Sequence, residues 1–226
     1  GALDIAITAA LNEGDNLLVP APGFPLYQVI AESNGASVKQ YPLVPERDWE
    51  VDCAALEALI DDKTRAILVN NPSNPCGSLF SDDNLREILA VAEKYKLLII
   101  SDEIYGTMTF TGHEFTPIAA LTTTVPVLAV GGMAKMFCVP GWRVGWIMVI
   151  DRNNVLTEGG MRQGLMNLSQ LILGANALVQ SAIPAVLIKP TPTDNKLNGS
   201  GSGAAAAAAV SNGDGGVGVS GLTGGG

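Results

Sequence analysis

The sequence predicts an α/β protein: a mostly parallel, doubly wound sheet flanked by helices. Three observations lead there. Short and almost continuous apolar runs recur at RAILVN (65–70), LLIIS (97–101) and VPVLAVGG (125–132), as expected of strands buried on both faces. Segments with helical periodicity separate them. The unusual polar residues, Asn70 to Gly77, Asp102 to Tyr105 and Lys135, follow these runs. Open α/β sheets bind ligands beyond the carboxyl ends of their strands.

The elements can be justified in order. Leu3, Ile5, Ile7, Ala10 and Leu11 have helical spacing over residues 2–12. EGDNLLVP (13–20) reads as turn and strand. GFPLYQVIAESNG (23–35) reads as a helix ended by Asn34–Gly35. ASVKQYPL (36–43) alternates as a strand does, and DCAALEALIDD (52–62) opens on a capping aspartate. RAILVN follows as a buried strand. SDDNLREILAVAEKYK (81–96) has the clearest helical signature, with Ser81 as cap, acids in the first turn and lysines in the last. LLIIS, VPVLAVGG and RVGWIMVI (143–150) complete the strands. Residues 156–188 read as mostly helical, with a long pattern around LSQLILGANALVQSAI.

The domain division follows. Residues 1–188 form one α/β domain and 189–226 a tail. From Pro190 onward aromatics vanish, apolar periodicity is lost, and eleven of the 26 glycines crowd into the last stretch. Such a composition is expected to stay disordered. Gly1 is followed at once by a helical pattern, so the chain is expected to be a piece of a longer protein.

Composition narrows the function. The 226 residues are 47% hydrophobic, enough for an ordinary core. A formal net charge of −9 repels phosphate backbones and disfavours a nucleic-acid partner. No stretch approaches the roughly 20 apolar residues of a membrane span. Three dispersed cysteines and a single histidine, His113, make neither a disulfide framework nor a metal site. A reducing, cytoplasmic setting is the expectation.

Three segments carry candidate chemistry. NNPSNPCG (70–77) is a rigid turn that either serves as a structural loop or offers the Asn74 amide to a ligand. IISDEIYG (99–106) ends a strand with Asp102, either a cap or a carboxylate for a cationic ligand group, with Tyr105 three residues on. Glu103 is the competing acid, and its neighbouring position points it elsewhere. GGMAKMFCVPGWRVGWI (131–147) sets Lys135 among apolar residues, with Arg143 eight residues later. A lone lysine is by default a surface residue. In this setting it is also an amine nucleophile suited to a carbonyl, and Arg143 offers a planar fork to a phosphate.

Taken together and in this order, these motifs resemble those of the fold type I pyridoxal-phosphate aminotransferases, most closely the tyrosine and nicotianamine aminotransferase group. LLVPAPGFPLYQ and NLSQLILGAN strengthen the likeness. The resemblance implies that residues 1–188 are the cofactor-binding large domain, incomplete at its N-terminus and without the C-terminal small domain. It implies Lys135 as the residue that joins the cofactor aldehyde as a Schiff base, and Asp102 as partner of the protonated ring nitrogen. Asn74 and Tyr105 would hydrogen-bond the ring oxygen, Arg143 the phosphate, and Phe24 would stack on the ring. Gly1 and Ala2 fall at the family's phosphate-binding turn. Gly132 stands where many relatives carry a phosphate-binding serine. The implied activity is amino-group transfer between a tyrosine-like L-amino acid and a 2-oxo acid, in a parent homodimer. A C–S lyase on the same cofactor and a catalytically incomplete remnant are the alternatives.

Overall fold

The structure, a computed structural model, describes residues 1–188; the tail predicted at 189–226 lies outside the described residues. Seven strands form one sheet in the order β3-β2-β1-β4-β5-β6-β7. They are β1 (Asn16–Ala21), β2 (Ser37–Val44), β3 (Glu50–Val51), β4 (Thr64–Asn70), β5 (Leu98–Asp102), β6 (Val127–Gly132) and β7 (Gly145–Ile150). The central five run parallel, and β3 and β7 close the edges antiparallel. The mostly parallel sheet expected from the apolar runs is therefore the architecture of the chain.

Alternate residues of each central strand feed two cores, which is why these strands read as unbroken apolar runs. On one face Leu18, Ile67, Val69 and Ile99 pack with helices α3 (Cys53–Ala58) and α4 (Asp82–Tyr95), through Leu56, Leu85 and Ile88. On the other face Leu17, Val19, Leu68 and Ile100 pack with α1 (Ala2–Ala10), α2 (Leu26–Ser33) and α7 (Met161–Leu171), through Ile7, Ile30 and Leu165. Each fully buried Leu or Ile adds about 1.5–3 kcal/mol of transfer free energy.

The predicted caps are formed. Ser81 Oγ accepts from Asn84 N at 3.2 Å, and Asp52 Oδ1 accepts from Ala55 N at 3.0 Å. Two expectations are refined. The predicted helix from Gly23 starts only at Leu26, because the Gly23–Pro25 segment turns the chain off β1. The long helical pattern after 156 is three helices: α6 (Val155–Glu158), α7 and α8 (Ala177–Ile188). Leu173 and Gly174 adopt positive φ, 54° and 83°, and end the run between α7 and α8.

The strand order reverses direction between β1 and β4: one half of the sheet grows through β2 to β3, the other through β5 to β7. A doubly wound sheet opens a crevice at such a point, beyond the carboxyl ends of its strands.

Candidate active site

The crevice is built from the ends of four strands. Beyond β1 the chain turns at Gly23, where a Cβ would stand 2.3 Å from the Pro20 carbonyl oxygen, so only glycine allows the turn. The turn carries Phe24 to the cleft wall, half exposed. Its ring and that of Tyr27 form a T-shaped pair, with centroids 5.6 Å apart and planes at 81°.

β4 ends at Asn70, whose Oδ1 accepts from Asn74 N at 2.7 Å and whose Nδ2 donates to the Asp102 carbonyl at 3.2 Å. Asn71 Oδ1 accepts from Phe80 N at 2.9 Å and pins the far side of the turn. The NNPSNPCG loop is thus held by two asparagine side chains, and Asn74 is left facing the cleft.

Asp102 ends β5 beside Asn70 on β4 and Val130 on β6. It is only 4% exposed. Its Oδ2 accepts from Tyr27 Oη at 2.8 Å and its Oδ1 from Ile104 N at 3.3 Å. Burial pushes its pKa above the usual carboxylate range, and those two donors pull against that rise. Among the described residues no Lys or Arg forms an ion pair with it. Glu103 turns away to accept from Ser101 Oγ at 2.9 Å, and burial pushes its carboxyl up to about 7.

β6 runs into the single turn α5 (Met133–Met136). Met133 is fully buried, while Lys135 stands exposed at the cleft, its Nζ 5.4 Å from the centre of the Tyr105 ring. The apolar neighbours of Lys135 in sequence therefore do not bury it; Met133 anchors the turn and the lysine projects outward. Arg143 does not open a strand as expected. It follows a short 3-10 turn, at φ 54°, two residues before β7, and its guanidinium donates to the Pro140 carbonyl at 3.0 Å.

All six residues singled out by motif, Phe24, Asn74, Asp102, Tyr105, Lys135 and Arg143, line one cleft of about 1260 Å³. Gly1 and Ala2, at the start of α1, line it too. Sequence reasoning missed Tyr27 and Asn70. Tyr27 sits one helical turn after Phe24 among apolar residues and reads as core, and its hydroxyl partner lies 75 residues away. Asn70 was in view within its motif, with no signal separating it from Asn74.

A model of the class I and II aminotransferases matches residues 1–209. The chain belongs to the class I and II aminotransferase family. Among relatives, it is similar to the tyrosine aminotransferase of Dictyostelium discoideum, with 53% identity over 187 residues, 83% of this chain and 45% of that protein. It is also similar to the Homo sapiens tyrosine aminotransferase, with 50% identity over 188 residues, 83% of this chain and 41% of that one. Among solved structures, a tyrosine aminotransferase from Leishmania infantum superposes with a TM-score of 0.82 at 42% identity, over 86% of this chain and 52% of that one. This member of the aminotransferase family thus spans about half the length, or less, of these relatives.

Proposed function

We propose that the cleft binds pyridoxal phosphate and that the protein moves an amino group between a tyrosine-like L-amino acid and a 2-oxo acid. One observation carries this reading: six residues chosen by motif, from four separate stretches of chain, converge on one crevice. The donor set fits the group. A buried carboxylate, Asp102, suits a protonated ring nitrogen. The amide of Asn74 and the phenol of Tyr105 suit a ring oxygen. The flat ring of Phe24 suits a ring face, and the guanidinium of Arg143 a phosphate. Lys135 is an amine at the same cleft, within cation–π range of Tyr105.

When bound, the cofactor supplies an electron sink for the pair left on the substrate Cα as its proton departs. Asp102 would hold the proton on the ring nitrogen. Lys135 Nζ would hold the group through its amine and, once free, would serve as the base that takes the substrate Cα proton and returns it as an acid. Tyr105 and Asn74 orient the ring by its oxygen. A parent homodimer and the aromatic preference are part of the proposal, supported by the likeness to the tyrosine aminotransferases.

The test is direct. Pyridoxal phosphate added to the purified chain should give a new absorbance band, and borohydride should fix one cofactor mass on Lys135. Lys135→Ala should abolish both. A 2-oxo acid formed from L-tyrosine in one turnover supports the transferase. Ammonia and pyruvate released from a cysteine conjugate would assign the cleft to a lyase instead. No band with the wild-type chain would overturn cofactor binding.

A further inference from the structure

Tyr27 takes no part in the chemistry assigned to the other residues, yet its position is demanding. It lies in the first turn of α2 and is 1% exposed, among Ile30, Ala31 and Val19. A phenylalanine would fill that apolar space. The hydroxyl is instead set against Asp102 Oδ2 at 2.8 Å. A buried phenol without a partner is costly, so this bond is one the fold must keep.

Asp102 depends on it in turn. Among the described residues, its other carboxylate oxygen has only the longer bond from Ile104 N, at 3.3 Å. The titratable groups around it are Tyr27 from α2, its neighbour Glu103, Tyr105 beyond β5, and Lys135 and Arg143 on the cleft wall. Tyr27 is placed to donate at any working pH: burial first, then the nearby Asp102 carboxylate, push its phenol far above its ordinary range. The same side chain packs nearly perpendicular to the Phe24 ring, so one residue braces both the carboxylate and the aromatic wall.

We propose that Tyr27 is a positioning residue whose hydroxyl fixes the Asp102 carboxylate toward the cleft and keeps it ionised, so that it retains the proton on the ring nitrogen of the cofactor. This rests on the cofactor reading above and deepens it. No direct contact between Tyr27 and the cofactor is required.

The experiment uses the full chain in three forms: wild type, Tyr27→Phe, and the chain with 3-fluorotyrosine at position 27, whose hydroxyl is a stronger donor. The Asp102 carboxyl is followed by carbon NMR without cofactor, with Asp102→Asn identifying its resonance. Tyr27→Phe should raise the titration midpoint by about one pH unit, and fluorotyrosine should lower it. A merely structural tyrosine would not give opposite signs. With cofactor, Tyr27→Phe should weaken pyridoxal phosphate binding about tenfold while borohydride still labels Lys135. Should Tyr27→Phe fail to fold, the fluorotyrosine chain carries the test alone. Titration midpoints and affinities unchanged in every folded form would overturn the proposal. A wild-type chain that binds no cofactor would instead sink the cofactor reading, and the Asp102 titration would still decide whether Tyr27 controls that carboxylate.

Discussion

Asp102 and Glu103 adjoin in sequence but alternate across the end of β5, and the pleat sends one to the cleft and the other to Ser101. Both are carboxyls raised by burial. For Glu103 the folded value is about 7 against an ordinary 4.5. Between those values the folded chain keeps a proton that the unfolded chain has released, so stability falls as pH rises through that window. The loss is of order 3 kcal/mol. Glu103→Gln should therefore raise the urea midpoint at pH 8 and leave it nearly unchanged at pH 4.5; an equal effect at both would refute the assignment. Gly132 makes a second prediction. A Cβ there would stand 2.9 Å from the Val144 carbonyl oxygen, on the facing strand's approach. Gly132→Ser should cost about 1–3 kcal/mol in chemical unfolding, since that oxygen belongs to backbone. The close approach of that carbonyl is a physical reason for glycine at this position. At this scale the site was legible where residue type and motif coincide, as at Asn74, Asp102 and Lys135. The exposure of Lys135 was not legible, because apolar sequence neighbours do not say which way a single helical turn faces.

Among the elements, α4 shows the strongest agreement between local chemistry and packing. Ser81 caps it, Asp82 and Asp83 face the positive end of its dipole, and Lys96 ends it at φ 54°. Ser81→Ala should cost about 1 kcal/mol, read as a lower thermal midpoint. Ser81 Oγ also donates to Glu50 Oε1, so Glu50→Gln, which leaves the cap in place, should reproduce little of that loss. Strands β4, β5 and β6 were legible because burial on both faces leaves nothing for alternation to hide. The break between α7 and α8 was harder. Leu171, Ile172 and Leu173 continue an apolar pattern, and only Gly174 marks the stop. The edge strand β3 has two residues and left no periodic trace.

At the scale of the molecule, strand order was beyond the sequence, since pairing between β1 and β4 joins segments separated by a long excursion through β2 and α3. Local patterns report faces, not neighbours. The described surface also exposes large apolar side chains around the break between α7 and α8. Leu171, Leu173 and Leu178 are 79%, 92% and 81% exposed. Exposed apolar surface favours association. Leu173→Ser with Leu178→Gln should reduce self-association of the purified chain in sedimentation velocity; an unchanged distribution would show that these side chains do not drive it.

The hairpin formed by β6 and β7 has a consequence for evolution and design. Because β7 returns antiparallel, with Gly132 opposite Gly145, the chain leaves and re-enters the sheet at the same rim. The amine and the guanidinium therefore ride on a single loop clamped at both ends. One residue inserted within 133–144 would displace one of these cations relative to the other, whereas an insertion at the opposite rim, between α4 and β5, would leave their spacing intact.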